Sequence, residues 1–404
     1  MKQQAKFKQT EIGKIPEDWE VKEIGRIADI NLGQSPPGNS YNQKGGGIKF
    51  LQGVRTFGEK YPSFDTYTTQ VTKKAKAGSV LLSVRAPVGE VNITKEDLCI
   101  GRGLAALNMK NGNNEFLYYL LKRFNSLIVG KETGSVFGSI DSNQIKDLTL
   151  PFPKDPKEQY NIAAILSSLD AKIELNKKNN QILEAIGQTL FKKWFIDLER
   201  IPKDWKVAKL GDYVDAIKGC SYRSEDLQDS DSALVTLKSI NRGGGLNQDG
   251  YKEYVGEYRE EQLLQDGDII VAQTDLTQKA EVIGTPAIVN LIDGYNNLIA
   301  SLDLQIIRPK KQLTKSFVYY LLRSKNFHDH ALSYTNGTTV LHLSKNAVPE
   351  FEFLIPDQET LKKFDLTAKN FLSRINANNI EIDRLSKIRD LLLPKLMSGE
   401  IRVK

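Results

Sequence analysis

The chain carries the same landmarks twice, in the same order, and this restricts its fold more than any other feature. Ile15-Pro16-Glu17-Asp18-Trp19-Glu20-Val21 returns as Ile201-Pro202-Lys203-Asp204-Trp205-Lys206-Val207, and Phe116-Leu117-Tyr118-Tyr119-Leu120-Leu121 returns as Phe317-Val318-Tyr319-Tyr320-Leu321-Leu322. The offset drifts: Trp19 and Trp205 lie about 186 positions apart, Gly134 and Gly337 about 203. Two modules that share a scaffold and differ in their interior loops give this pattern. A length of 404 residues with 40% apolar content suits two such modules, each with its own core.

Between the landmarks the pattern is one of short strands and turns. Residues 78–85 and 267–272 read as corresponding strands after a glycine turn, and Gly45-Gly46-Gly47 and Gly243-Gly244-Gly245 as loops. The Tyr-Tyr-Leu-Leu segments read as short helices. Pro151-Phe152-Pro153 and Ile355-Pro356 read as breaks before a long helix.

Each copy then closes on a heptad stripe. The first runs Ile162, Leu166, Leu169, Ile173, Asn176, Asn180, Leu183, Gly187, Leu190, Trp194; the second runs Phe364, Ala368, Phe371, Ile375, Asn378, Ile382, Leu385, Arg389, Leu392, Leu396. Two matched stripes of about 33 residues favour pairing with each other over roughly 50 Å. Duplication about a two-fold axis makes the pair antiparallel, with a module at either end of a rod. Asn176 and Asn378 share one seam position, where a polar residue either fixes register or faces solvent at a loose point; the sequence leaves both open. The expected architecture is α+β: two pseudo-symmetric domains separated by an antiparallel two-helix coiled coil. Its expected divisions are a tail at 1–14, a first domain at 15–155, a central helix at 156–198, a second domain at 201–356 and a C-terminal helix at 357–404.

Catalytic motifs are not found. Gly33-Gln34-Ser35-Pro36-Pro37-Gly38-Asn39-Ser40 has the glycine spacing of a phosphate loop, but Asn39 stands where the lysine belongs and two prolines remove backbone donors. Ser35-Pro36-Pro37-Gly38 lacks the aromatic residue that would stack on a flipped base. Glu20-Val21-Lys22 follows Asp18 too closely for a nuclease metal site, and its copy has Lys206 for Glu20. The two tryptophans read as core anchors. His328 and His330 could share a strand face, but no further ligand joins them or His342, and surface positions are expected. Cys99 and Cys220 fit no ligand or redox spacing and read as buried thiols of a reducing compartment. The amino terminus lacks a signal-peptide core and no 18-residue apolar run occurs, so a cytoplasmic protein off the membrane is expected.

The charge of +6 and pI near 8.9 are compatible with nucleic acid without demanding it. Arg and Lys neutralise phosphates and reach guanine; Asn and Gln reach adenine. On residue chemistry alone, candidate DNA contacts are Lys49, Arg55, Lys73, Lys74, Arg85 and Arg102 in the first copy, and Arg223, Lys238, Arg242, Gln273, Thr274 and Lys279 in the second.

Taken together, the chain resembles the specificity subunit of type I restriction-modification enzymes. Ile15-Pro16-Glu17-Asp18-Trp19 and its copy look like the start of each target-recognition domain. Ile100-Gly101-Arg102-Gly103-Leu104-Ala105-Ala106-Leu107 resembles a strand-loop of such domains, and residues 392–403 resemble the family's C-terminal ending. The resemblance covers essentially the whole chain. It implies a non-catalytic subunit whose two domains each read half of an asymmetric bipartite site on double-stranded DNA. The coiled coil would set the spacer and dock two adenine-methylating subunits. S-adenosylmethionine would sit on those partners, and ATP and magnesium on restriction subunits where these join; no cofactor is expected in this chain. The tail would complete a circular arrangement with the C-terminal helix. The rivals are a coiled-coil adaptor binding only proteins, or a nuclease or methyltransferase with unfamiliar motifs.

Overall fold

The structure, a computed structural model, describes residues 6–131, 138–242, 245–277, 279–291, 294–310 and 312–403. Gly134, Gly243, Gly244 and the first five residues of the expected tail lie outside them. The chain divides into two compact units, residues 1–175 with 382–404, and residues 176–381.

In the first unit an antiparallel sheet has the order Val91–Ile93, Val80–Ser83, Leu104–Met109, Ala28–Leu32. A second sheet has the order Tyr41–Asn42, Tyr67–Thr68, Ile48–Leu51, Leu98–Ile100, Lys74–Ala75, and Leu98–Ile100 runs parallel to Ile48–Leu51. Val80–Ser83 is buried along its whole length, as expected of an inner strand without polar alternation. The helix Asn114–Arg123 packs on the first sheet. Its start is fixed by Asn113, whose side chain accepts from Phe116 N at 3.2 Å.

The second unit repeats this plan. Pro286–Ile288, Ile269–Ala272, Leu304–Pro309 and Val214–Lys218 form the antiparallel sheet; Tyr251–Glu253, Ser232–Val235 and Asn297–Ala300 form the other, its last two strands again parallel. Thr314 caps the matching helix Lys315–Leu322, accepting from Phe317 N at 3.2 Å. A small extra sheet, Thr274–Asp275 with Leu341–Leu343 and Thr335–Asn336, belongs to this unit.

Pro151-Phe152-Pro153 lies in a strand that ends just before the first long helix, whereas Pro356 stands between the strand Glu352–Ile355 and the second long helix, a break as expected. Thr149–Pro153 pairs antiparallel with Trp19–Glu23, and Glu352–Ile355 with Lys206–Lys209. Each ribbon has two strands, so a proline can turn its missing N–H away from its single partner. This pairing explains the first repeat: Trp19 and Trp205 are buried beside these ribbons and donate their Nε1 protons to Glu158 and Asp357, both at 3.2 Å, at the start of the long helices. Part of the expected tail is a hairpin, Phe7–Thr10 with Gly13–Pro16.

The long helices are Pro156–Phe191, followed by a wider turn at Lys192–Ile196, and Gln358–Met397. They pack against each other antiparallel. In the first unit Glu158 meets Arg402 beyond the second helix and Asp170 meets Arg389; in the second, Asn176 meets Glu381 and Asn180 meets Asn379. Among the predicted seam residues, Ile162, Leu166, Ile173 and Asn176 are buried, as is Asn378. Leu169, Leu183, Leu190, Phe371, Ile375, Ile382, Leu385 and Leu392 are partly buried, and none of these is exposed.

The asparagines do not face solvent. Asn176 and Asn378 are each 1% exposed. Asn176 Nδ2 donates to Glu381 Oε2 at 2.8 Å, and Asn378 Nδ2 to Asn180 Oδ1 at 2.7 Å.

The histidines also differ from expectation. His328 and His330 lie on the helix Lys325–Ser333, where a two-residue step separates faces. His330 is packed among Phe327, Tyr334 and Phe351, with Nε2 at 2.8 Å from Ala347 O; His342 alone is exposed. Cys99 and Cys220 are free and buried, and burial raises the Cys220 thiol above its ordinary value.

Candidate nucleic-acid interface

Each unit contains one crossing of backbones that fixes the position of a surface loop. In the first unit the loop 101–103 leaves the second sheet and enters the first, passing over Gly33. Gly33 N donates to Leu104 O at 2.8 Å, Gln34 N to Ile100 O at 2.9 Å and Gly101 N to Leu51 O at 2.8 Å. A Cβ on Gly33 would lie 2.1 Å from Gly101 O, so only glycine fits. In the second unit Gly219 N donates to Leu304 O at 3.1 Å, Cys220 N to Ala300 O at 2.8 Å and Ser301 N to Val235 O at 2.9 Å; a Cβ on Gly219 would lie 2.0 Å from Ser301 O. The Gly33 segment that resembled a phosphate loop is thus one strand of a crossing.

The matching bonds set residue equivalences. Arg102 corresponds to Leu302. Lys74, opposite Cys99, corresponds to Leu263, opposite Ile299, so Lys73 corresponds to Gln262. Arg85, bridged to Ser139, corresponds to Thr274, paired with His342. Arg55 and Lys238 sit in equivalent single turns, Val54–Thr56 and Leu237–Ser239.

The predicted contacts fall into distinct environments. Lys49 is held by Glu96 at 2.6 Å, Arg55 by Asp65 at 2.7 Å, Lys74 by Asp97 at 2.6 Å, Arg223 by Glu225 at 3.1 Å and Arg242 by Glu281 at 3.3 Å. Thr274 is buried and donates to Asp303 at 3.2 Å; Gln273 is partly buried beside Gln305 at 3.5 Å. Lys73, Arg85, Arg102, Lys238 and Lys279 are exposed and have no acidic partner among the described residues.

Three of those five converge on the first unit's crossing. Lys73 O accepts from Ile100 N at 2.9 Å; Arg85 follows Val84, whose N donates to Gly103 O at 2.9 Å; Arg102 N donates to Ser35 Oγ at 3.2 Å. Ser35 Oγ in turn donates to Gln52 Oε1 at 2.9 Å, which leaves the Gln52 amide protons as that side chain's outward function. Side-chain chemistry did not nominate Gln34, Ser35 or Gln52 as DNA contacts, although the first two lie in the glycine-spaced segment; only the crossing brings them to Arg102. A cleft of about 210 Å³ between Tyr41, Gln52, Arg55 and Asp65 adjoins this surface.

The second sequence repeat has a separate role. In the first unit the hydroxyl of Tyr119 donates to Asp170 of the central helix. Asp170 Oδ1 accepts from Arg389 at 3.0 Å, and Lys60 lies 3.4 Å from Asp170 and 2.8 Å from Glu115. Arg389 also binds Glu59. Burial, with the carboxylates nearby, raises the Tyr118 and Tyr119 hydroxyls, and pushes Tyr61 up to about 12; burial and then Arg389 lower Lys122. In the second unit Arg323 pairs with Glu184 at 3.1 Å, and burial, with Glu184 adjacent, raises Tyr319 far above its ordinary value. The Tyr-Tyr motif therefore fastens each unit's sheet domain to its share of the central helix.

Comparison with known proteins agrees with this arrangement. Residues 16–185 and 202–388 match the family model described as type I restriction modification DNA specificity domain. The type I restriction enzyme MjaIX specificity subunit of Methanocaldococcus jannaschii is 30% identical over 99% of this chain and 97% of its own length. The HindI specificity subunit of Haemophilus influenzae is 27% identical over 71% of this chain and 77% of its own. The crystal structure of a type I restriction-modification S subunit from M. genitalium shares the fold, with a TM-score of 0.61 and 18% identity, covering 94% of this chain and 96% of that one. The protein is a two-module DNA-recognition scaffold. It belongs to the type I restriction-modification specificity subunit family. No helix among the described residues is long and apolar enough to cross a membrane.

Proposed function

We propose that this chain is the non-catalytic DNA-reading subunit of its complex, and that its two modules, within the limits 15–155 and 201–356, each read one half of an asymmetric bipartite duplex site. The observation that carries the reading is the crossing built twice from the same backbone bonds with different side chains on it. A constant scaffold with unlike surfaces suits two unlike half-sites. The helices at 156–198 and 357–404 set the spacer and dock two methyltransferase subunits, which supply S-adenosylmethionine and methylate adenine. Restriction subunits, where present, bring ATP and magnesium chemistry. The work is done in the cytoplasm, on chromosomal or entering DNA. A charge of only +6 gives modest attraction to phosphate, so partners closing on the duplex add the rest.

Mapping methylated adenines in a host genome with and without this gene tests the reading. One bipartite motif should vanish with the gene. Exchanging residues 15–150 for those of another module should change one half of the motif only; a change in both halves, or no motif at all, would contradict it.

A further inference from the structure

From the arrangement around Gly33 we infer that Arg102 reads a guanine in the half-site of the first unit, through the donor-rich edge it forms with Gln52. The inference rests on the proposed reading of DNA by each module. Four observations lead to it. The loop 101–103 is pinned on one side by Gly33 and on the other by Gly103 N donating to Gln52 O at 3.1 Å. A Cβ on Gly103 would lie 2.5 Å from that same oxygen, so the loop's inner side is filled by backbone and the exposed Arg102 faces outward.

Second, Arg102 differs from Arg55, Arg223 and Arg242 in having no carboxylate partner among the described residues, and Lys73 and Arg85 beside it are equally unneutralised. Three exposed cations on segments bonded to one crossing, none of them held by an acid among the described residues, offer positive charge to an anionic partner. Third, Ser35 occupies Gln52 Oε1, which leaves the exposed Gln52 its amide protons as free donors on the segment that pins the loop. Guanine presents two acceptors, N7 and O6, to the major groove, and Arg binds them as a pair; the other bases present a donor, or a single acceptor with a methyl group.

Fourth, the second unit lacks all three charges at the equivalent places. Gln262, Thr274 and Leu302 stand there. Gln262 is turned inward, donating to Lys218 O at 3.1 Å. The same backbone position is thus cationic in one module and uncharged in the other. That is how one scaffold reads two different sequences, with Lys73 and Arg85 available to the phosphates flanking the base.

The test is the methylation motif of the full complex, mapped genome-wide for Arg102→Ala and Arg102→Lys, with binding of duplexes carrying each base at the affected position. Arg102→Ala should relax one G·C position in one half-site, with discrimination at that position falling roughly 5- to 150-fold, and should leave the other half-site unchanged. Arg102→Lys, which keeps the charge but not the paired donors, should lose most of the same discrimination. Either of two results overturns the assignment while the module reading stands: an unchanged motif, or weakened binding to all sequences with a shallower salt dependence, which marks a phosphate contact. A wild-type complex with no bipartite motif would instead sink the module reading itself.

Discussion

Replacing Arg389 with methionine should destabilise the first unit by about 3 kcal/mol. The guanidinium is nearly buried, and Asp170 beneath it is 6% exposed at its side chain. Methionine keeps the apolar stem and removes the charge. Breaking a buried pair from one side costs about 3–5 kcal/mol, because the partner is left charged and dry. Asp170 retains Lys60 at 3.4 Å and the Tyr119 hydroxyl, which places the cost at the lower end. For a unit of about 200 residues this is a fall in melting temperature of roughly 6–12 °C. Urea unfolding gives the energy, and hydrogen exchange at Asn114–Arg123 shows where it acts, since Tyr119 rides on that helix. Adding Asp170→Asn to Arg389→Met removes the stranded charge, so the double variant should be less damaged than the sum of the two singles by at least about 1 kcal/mol. A single-variant cost below about 1 kcal/mol, or strict additivity, would refute the view that this network locks the helices to the first module.

Other outcomes are equally open to measurement. Arg402 grips Asp18 through two bonds of 2.9 and 2.7 Å and Glu158 through bonds of 2.7 and 3.0 Å. Arg402→Ala should loosen the closing segment and cost about 2 kcal/mol, while Arg402→Lys, which cannot fork, should recover less than half of it by thermal melting. Asp357 caps the second long helix, and hydrogen bonds from Thr360 and then Trp205 lower its carboxyl to about 2. The unfolded chain binds that proton more tightly than the folded one, so this stabilisation is complete above about pH 4 and fades as pH falls towards 2; Asp357→Asn should flatten that part of the stability curve. Gly187 lies under Tyr320, where an added Cβ would come within 2.1 Å of the hydroxyl oxygen. Gly187→Ala should therefore destabilise the second unit by about 1–3 kcal/mol in a urea titration, despite alanine's better helix propensity.

Much of the architecture was legible because repetition and heptad spacing survive in the residues themselves. Trp19 and Trp205 announced core anchors, and the stripe from Ile162 onward announced a paired helix. The Pro151-Phe152-Pro153 segment misled in part: a proline's local preference reads as an interruption, while a two-stranded ribbon with one free edge accommodates it. Pro356 does stand between strand and helix. His328 and His330 misled for a similar reason, since spacing of two carries meaning only once strand or helix is known. The candidate contacts were the least legible. Side-chain type nominated Lys49, Arg55 and Lys74 as readily as Arg102, and only distances reveal that the first three are occupied by Glu96, Asp65 and Asp97. Gln52 and Ser35 are remote from Arg102 in the chain, and no local pattern joins them.

The amides inside the second unit's helix pair carry a mechanical consequence. Asn180 gives a proton to Asn379 and takes one from Asn378, each across 2.7 Å. Sliding one helix by a heptad would strand these groups opposite hydrocarbon, and each unmet amide costs about 1–3 kcal/mol. The pair therefore behaves as a ratchet pawl seated in one tooth: its alignment is chosen by a few polar atoms, while the grease of the surrounding seam supplies only the grip.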